Sequence, residues 1–232
     1  MPNVQNQNRL IDRLPATERR RLLALCETVQ LRTPEVLSEP GTPTRHAYFP
    51  TQGFISLLAM VDGHRSVEVG MAGCEGMLGA ELALGMSTAP LHALVQGDGA
   101  CWRVGSGTLR RELAHSPALE RCLRHYLYVQ MGQLALSAGC LRFHLIGPRL
   151  ARWLLMTHDR AQADCFHVTQ ESLAYMLGVR RAGITVAAVA LQRDGLIRYR
   201  RGSFTVLDRI GLQAMACSCY AAGIQSYDEV MG

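Results

Sequence analysis

The sequence lacks lysine altogether, so all 24 basic residues among its 232 positions are arginines. Every positive charge is therefore carried by a planar guanidinium, which suits phosphates and base edges. A codon bias toward GC-rich codons accounts for the same composition equally well. The absence of lysine alone thus decides nothing about a ligand, and the positions of the arginines carry more information.

Long apolar runs are also missing. The longest, Gly53–Val61 and Met77–Met86, are shorter than the roughly 18–20 residues that a membrane span requires. The polar amino terminus has no signal-peptide core. With 48% hydrophobic and 19% charged residues, the chain is too apolar to be disordered. We expect a folded cytoplasmic protein that does not contact membranes.

Closely spaced cysteines are scarce, because only Cys217 and Cys219 of the eight lie near each other in sequence. No zinc-ribbon or ferredoxin spacing occurs, so we expect no metal site and reduced, mostly buried thiols. Catalytic motifs are missing too: there is no nucleophile elbow, no HExxH and no phosphate loop. We expect no catalytic residues and no enzyme.

Positive charge is concentrated in one segment. Residues 141–209 hold eleven arginines against five acidic residues, whereas residues 1–140 hold thirteen against twelve. A local excess of this size is typical of a module that binds a polyanion.

The first half of the chain changes texture near residue 31. Residues 9–27 predict an amphipathic helix, and short apolar runs separated by glycine and proline follow between about 31 and 107. Turns such as Asp62-Gly63 and Gly97-Asp98-Gly99 separate these runs at intervals of about ten residues. The pattern predicts a β-barrel or sandwich-like unit.

A long helix is predicted from Pro117 to Gly139, and Gly147-Pro148 is expected to separate it from another helix over Arg149–His158. Its heptad spacing favours a parallel dimer, although a helix packed on its own barrel is the alternative. The predicted dimer seam comprises Cys122, Tyr126, Val129, Gln133, Leu136 and Cys140.

The segment after Phe166 predicts two helices that meet at a steep angle. Thr169 is a candidate N-cap of the first helix, and Gly178-Val179 ends it. A second helix is predicted from about Arg181 to Arg193. This arrangement is typical of a helix-turn-helix, which binds duplex DNA.

Two short strands, Leu196–Tyr199 and Ser203–Leu207, are predicted to form a basic hairpin across Arg200-Arg201-Gly202. Arginines on such a wing suit phosphates, and Arg181 suits bidentate recognition of guanine. Alternatively, Arg181 caps or pairs within the fold, for example with Glu171. A winged helix that binds protein instead of DNA is a further alternative.

Residues 166–212 resemble the winged-helix domain of the Crp/Fnr family of bacterial transcription regulators, above all in TQESLAYMLGVRR and LQRDGLIRYRRG. The order of barrel, long helix and winged helix is similar over nearly the whole chain. The resemblance implies an α+β fold with a β-roll or jelly-roll effector domain of the cyclic-nucleotide-binding type (1–116), a dimerisation helix and hinge (117–146) and a winged helix-turn-helix (147–232).

The resemblance also implies a homodimer that binds a two-fold-related DNA site, works with RNA polymerase and responds to an effector. The residues then expected to contact DNA are Thr169, Gln170, Arg180, Arg181, Gly183, Thr185, Arg200 and Arg201. The best-known members carry Glu after the arginine that matches Arg181 and a second arginine farther along, where this chain has Ala182 and Val186. Their operator is therefore not expected here.

The effector cassette also departs from the family. Members that bind cyclic nucleotides use Gly-Glu for the ribose and Arg-Ser/Thr-Ala for the phosphate, but Gly79-Ala80 and Ser87-Thr88-Ala89 stand here. Glu81 is a possible ribose partner, and Gln130 and Gln133 are further candidates for the pocket. A cyclic phosphate would lose a charge-assisted bond worth about 1.5–3 kcal/mol. We expect that the domain does not bind cyclic AMP.

The sequence does not name the effector or a cofactor. An amino-terminal iron–sulfur cluster is not expected, because Cys26 is the only cysteine before residue 74. A haem could use Cys74, His64 or Pro2. A thiol switch could use Cys122 or Cys140, and a regulator without any ligand is the remaining alternative.

Overall fold

The computed structural model describes residues 8–62 and 65–232, with Arg65 described through its backbone only. These residues form two compact units. The first comprises the described residues of 1–57, 71–131 and 231, and the second those of 58–70, 132–230 and 232. The haem-ligand candidates Pro2 and His64 lie outside the described residues.

The first unit is rich in β-strands. The strands of the first half are β1 (Glu27–Leu31), β2 (Val36–Ser38), β3 (His46–Pro50), β4 (Phe54–Val61), β5 (Arg65–Ala72), β6 (His92–Gly97) and β7 (Gly99–Gly105). One sheet has the order β1-β7-β3 and another the order β2-β6-β4-β5. Leu31, Ile55, Val95 and Cys101 are buried together between strands of the two sheets. The β-rich effector domain predicted from the sequence is confirmed.

The amino-terminal segment differs from the single helix predicted over 9–27. It forms α1 (Arg9–Asp12) and α2 (Ala16–Ala24), followed directly by β1. Pro15 separates the helices because its ring fixes φ and its nitrogen carries no hydrogen to donate. Thr28 and Val29 are β-branched, which favours the strand that replaces the predicted end of the helix.

Three helices follow the strands: α3 (Ser106–His115), α4 (Pro117–Phe143) and α5 (Ile146–Ala161). The predicted break at Gly147-Pro148 is wrong, because both residues lie in the first turn of α5. A first-turn proline costs no hydrogen bond, since the amides there have no intrahelical partner. The break lies instead at His144 and Leu145.

The rest of the second unit is a winged helix with two further helices. Its elements are β8 (Cys165–His167), α6 (Gln170–Leu177), α7 (Arg181–Arg193), β9 (Ile197–Arg200), β10 (Ser203–Val206), α8 (Arg209–Met215) and α9 (Cys219–Met231). The small sheet has the order β8-β10-β9. Over the described residues no single helix is long and apolar enough to cross a membrane; α6 and α7 reach that length and composition only as a pair, bent by 110°.

Candidate nucleic-acid interface

The turn between α6 and α7 is built by local hydrogen bonds. The Thr169 hydroxyl caps α6 by accepting from the Ser172 amide at 3.0 Å. Gly178 adopts φ 61°, a left-handed conformation that glycine reaches without strain, and the Val179 amide then donates to the Ala174 carbonyl. The resulting angle of 110° falls in the usual range of a helix-turn-helix.

One side of α7 is buried and the other faces outward. Ile184, Ala187, Ala188 and Leu191 are buried at helical spacing. The opposite side presents Arg181, Ala182, Thr185, Val186 and Val189. Val186 is 72% and Val189 59% exposed, which is unusual for large apolar side chains. The second helix therefore leaves a mixed basic and apolar strip without a partner in its own unit.

Arg180 and Arg181 begin α7, with Arg180 at the N-cap position and Arg181 as the first helical residue. Both are exposed. Neither joins an ion pair within the described part of the chain, and the alternative partner Glu171 is not bonded to Arg181 there. An exposed arginine without an internal carboxylate keeps its donors for an outside acceptor.

Thr169 and Gln170 lie at the start of α6, and Thr185 connects to them from α7. The Thr185 hydroxyl donates to Gln170 Oε1 at 2.6 Å and also lies 3.2 Å from the Arg181 carbonyl oxygen. Because Gln170 accepts through its oxygen, its amide nitrogen is left to donate outward. Thr185 therefore positions Gln170 and has its own hydroxyl hydrogen engaged inside the motif.

Gly183 is a correction to the predicted DNA contacts. A Cβ atom placed on this glycine would come within 2.7 Å of Ile146 Cδ1 at the start of α5. The residue therefore faces the interior of the unit and permits α7 to pack closely. Its role in the structure is close packing, and its place at the start of the helix does not turn it toward DNA.

The wing is the hairpin of β9 and β10. Its turn holds Arg201 at φ 51° and Gly202 at φ 80°, both in the left-handed region that such two-residue turns require. A Cβ at Gly202 would meet the His167 ring at 2.7 Å, so glycine is required there. Arg200 and Arg201 are exposed and make no ion pair within the described residues, as predicted for phosphate-binding side chains.

The effector cassette in the first unit has a different character. Gly79, at φ 92°, precedes the 3₁₀ helix Ala80–Leu84. Ala80 is buried, and the Glu81 carboxylate accepts a hydrogen bond from the Thr44 hydroxyl at 2.6 Å. Glu81 thus has an internal partner in the position considered for a ribose contact.

The second half of the cassette is held by backbone pairing. The Thr44 amide donates to the Ser87 carbonyl, and Ala89 exchanges bonds with residues 41 and 42. Ser87 and Thr88 are exposed, whereas Ala89 is buried. The cation that the structure shows bonded to this stretch is Arg110 of α3, which donates to the Met86 carbonyl at 3.1 Å.

The remaining pocket candidates are the glutamines of α4. In the first unit Gln130 donates to the Tyr126 hydroxyl at 3.2 Å, and this hydroxyl donates to the Met77 carbonyl at 3.3 Å. Gln133 belongs to the second unit and is half-buried. The haem candidate Cys74 is buried in the first unit.

Burial corrects the predicted dimer seam on α4. The side chains of Cys122, Tyr126, Val129 and Cys140 are buried within the single chain, and Gln133 and Leu136 are partly buried. Val129 has no exposed surface, and the Cys122 thiol donates to the Leu10 carbonyl. These side chains pack inside their own units, so they cannot also meet a second copy. The alternative of a helix packed on its own chain holds for this line.

A second line on α4 remains exposed: Arg124, Tyr128, Met131, Ala135, Ala138 and Arg142. Tyr128 and Met131 are 66% and 68% exposed. The spacing along this line alternates between four and three residues, as on the buried line. The same periodicity therefore occurs on two faces, and the sequence alone assigned it to the wrong one.

The capped helices, the left-handed glycine turn and the basic wing define a winged helix-turn-helix. Residues 148–215 match the family model of the Crp-like helix-turn-helix domain. No curated protein matches the chain. Among solved structures, FixK2 from Bradyrhizobium japonicum is 15% identical, with 83% of this chain and 98% of that chain covered and a TM-score of 0.70.

Two further structures agree. The c-di-GMP responsive global regulator CLP from Xanthomonas campestris is 20% identical, with coverages of 83% and 99% and a TM-score of 0.67. A crp/fnr-family regulator from Eubacterium rectale is 15% identical, with coverages of 89% and 96% and a TM-score of 0.67. The chain has the fold of a Crp/Fnr-type transcription regulator, which confirms the resemblance found in the sequence.

Proposed function

We propose that this chain is a transcription regulator that binds duplex DNA as a homodimer on a two-fold-related site. The observation that carries the proposal is the set of exposed arginines around the outer face of α7, none of which joins an ion pair in the described part of the chain. Members of such helix-turn-helix families bind DNA and are generally not enzymes. RNA polymerase as a further partner follows from the family resemblance alone.

The roles of the side chains follow from their places. Arg181 is at the first turn of α7, where side chains reach base edges, and Arg180, Arg200 and Arg201 surround it with positive charge. Val186 and Val189 extend the outward strip with apolar surface, which suits the methyl group of thymine. We therefore expect an operator half-site that combines a guanine with nearby thymines.

The second copy is proposed to pack on the exposed line of α4. Tyr128 and Met131 supply apolar surface at heptad spacing, with Ala135 and Ala138 allowing close approach. Two copies would then present two recognition helices to successive major grooves. The domain ranges 1–116, 117–146 and 147–232 remain part of this proposal.

The effector domain is proposed not to use cyclic AMP. Two features support this: Ser87 and Thr88 provide no cation, and Thr44 already bonds the Glu81 carboxylate. Backbone amides alone would have to hold the cyclic phosphate, without the charge-assisted pair that arginine provides.

Selection of bound sequences from random duplex DNA tests the function directly. We expect an enriched motif with two-fold symmetry and an affinity that falls steeply with salt, because bound phosphates release counterions. The selected duplex is then compared with a scrambled duplex over a salt series. Failure to enrich any motif, together with salt-independent binding, would favour a winged helix that binds protein.

A further inference from the structure

Three cysteines and one histidine from distant parts of the sequence meet in the second unit. Their ligand atoms, the sulfurs of Cys140, Cys217 and Cys219 and a ring nitrogen of His144, all lie within 4.8 Å of one another. The three cysteines are buried, at 2%, 6% and 6% exposure, and His144 is half-buried. Among the described residues, this is the one group of metal-binding side chains that is brought together in this way.

Local structure explains how each pair of residues is presented. Cys140 and His144 are four residues apart, so the helical turn at the end of α4 places both on one face. The His144 amide still donates to the Cys140 carbonyl at 3.1 Å. Cys217 and Cys219 flank the bend between α8 and α9, and the Cys217 amide donates to the Pro148 carbonyl in α5.

The separations fit a single tetrahedral ion. Zinc bonds of about 2.3 Å to sulfur and 2.0–2.1 Å to nitrogen require about 3.8 Å between two sulfurs and about 3.6 Å between sulfur and nitrogen. The Cys140 and Cys217 sulfurs are 3.6 Å apart, and Cys219 Sγ is 3.5 Å from His144 Nδ1. Four ligands at these distances complete a closed coordination sphere.

Other fates of the four groups fit less well. A disulfide needs about 2.05 Å between sulfurs, and it would employ only two of the four side chains. A four-iron cluster puts each ligand on a different iron and needs wider spacing. Simple burial of inert thiols does not explain why the histidine nitrogen also points into the group.

The charges around the cluster favour a thiolate-bound cation. The hydrogen bond from the Cys217 thiol lowers the pKa of Cys140, and the positive charge of Arg152 acts in the same direction. Three thiolates and one zinc(II) carry one net negative charge, which this arginine offsets. Soft thiolates together with imidazole select zinc among the common divalent ions.

We propose that Cys140, His144, Cys217 and Cys219 bind one zinc(II) ion per chain in a tetrahedral site. The ion takes the lone pairs of three thiolates and one ring nitrogen, and each thiol that is protonated beforehand releases its proton to water. No zinc-finger spacing announces this site, because two ligands come from α4 and two from the segment 77 residues later. The expectation that the chain has no metal site is thereby replaced.

The site would join the end of α4 to the start of α9 next to the recognition helix. His144 lies two residues before Ile146, whose Cδ1 is the atom that would touch a side chain at Gly183 in α7. Cys217 is bonded to the first turn of α5 through Pro148. Zinc therefore fixes the segment on which α7 packs, and its loss should loosen that support.

Metal content of the full-length protein tests the site. Protein purified under reducing conditions with zinc should retain about one zinc per chain after gel filtration against a weak chelator, as measured by plasma mass spectrometry. Replacing zinc with cobalt(II) should give the intense visible bands of tetrahedral coordination and a thiolate-to-cobalt charge-transfer band.

Variants separate the cluster from unspecific thiols. Cys217→Ser and Cys219→Ser should lose the bound zinc, and His144→Ala should weaken zinc binding by more than the about 100-fold that loss of an outer partner can cost. His144→Cys should retain it as a four-cysteine site. Cys165→Ser is the matched control, because Cys165 is exposed and lies in β8 of the same unit.

Wild-type protein decides the matter even if a variant fails to fold. No zinc and no cobalt bands in folded, reduced wild-type protein would overturn the proposal. A loss of two thiols from the cluster on mild oxidation, without metal binding in the reduced state, would also overturn it and would indicate a Cys140–Cys217 disulfide switch. Zinc content is measured without DNA, so this result is independent of the proposed DNA binding.

Discussion

The two units of the molecule treat charge in opposite ways. In the second unit, Arg181 and the wing arginines are exposed and have no internal carboxylate within the described residues. In the first unit, the cassette that would hold an anionic ligand has short side chains, and its one carboxylate, Glu81, is bonded by Thr44. A surface prepared for DNA keeps its donors free, whereas this cassette satisfies its polar groups internally. The fold is shared with regulators of known type, and the ligand of each unit depends on these details.

The largest expected effect concerns α4, on which paired recognition helices depend. Tyr128→Asp combined with Met131→Asp should give folded monomers, because both side chains are exposed and the charges would repel across a two-fold seam. Loss of the second half-site should weaken specific DNA binding by about 100-fold or more. Sedimentation and fluorescence anisotropy on the selected duplex measure the two effects.

Two controls distinguish this seam from the buried line. Ile210→Asp introduces the same charge at an 83% exposed position of α8 and should leave the dimer intact. Val129→Asp puts a carboxylate at a position without any exposed surface and should cost about 3 kcal/mol or more of folding stability, seen as reduced resistance to urea. A dimeric Tyr128→Asp/Met131→Asp double variant would refute the exposed seam.

Arg181 is expected to have the next largest effect, because it lies where side chains reach base edges. Arg181→Ala should cost about 1–3 kcal/mol on the selected site and relax the preference at one base pair per half-site. Binding to a scrambled duplex should weaken much less. Repeating the selection with the variant shows which base pair is affected, and an unchanged motif would show that Arg181 does not read a base.

The winged helix was largely predictable, but the helix seam was not. Thr169, Gly178 and Gly202 act through local backbone geometry, which short sequence patterns encode. The side of α4 that faces the chain depends on packing against elements far away in sequence, and Leu10 and Met77 supply two of those contacts. Heptad spacing indicates that a helix face is apolar and does not say which partner covers it.

The missed features have the same physical origin. Gly183 looked like part of the DNA-facing end of α7 until Ile146 was placed against it. The cysteine cluster joins Cys140 to Cys217 across 77 residues, and only the close pair Cys217 and Cys219 hinted at it. One usable signal was the interval of four residues between Cys140 and His144, which a helix converts into a pair of ligands on one face.

The wing arginines should have a smaller and sequence-independent effect. Arg200→Ala and Arg201→Ala should weaken binding to the selected and the scrambled duplex alike, since phosphates are the same in both. Each lost phosphate contact should reduce the salt slope by about one unit per subunit. Affinities over a salt series measure this slope, and Arg193→Ala is the control because Arg193 already pairs with Asp194 at 3.2 Å. A loss of specificity equal to that of Arg181→Ala would remove the distinction between the two roles.

The smallest effect is expected for cyclic AMP on the wild-type protein. Titration calorimetry should show no binding stronger than high-micromolar, about −6 kcal/mol, because Ser87 occupies the place of the phosphate-binding arginine. Ser87→Arg restores the family's Arg-Thr-Ala order at an exposed position and should tighten binding by about 10-fold or more, the value of one charge-assisted pair. Ser87→Gln adds similar length without charge and should not. Sub-micromolar binding to wild-type protein would show that the cassette holds a cyclic phosphate without an arginine, and the contrast between the two units would then fail.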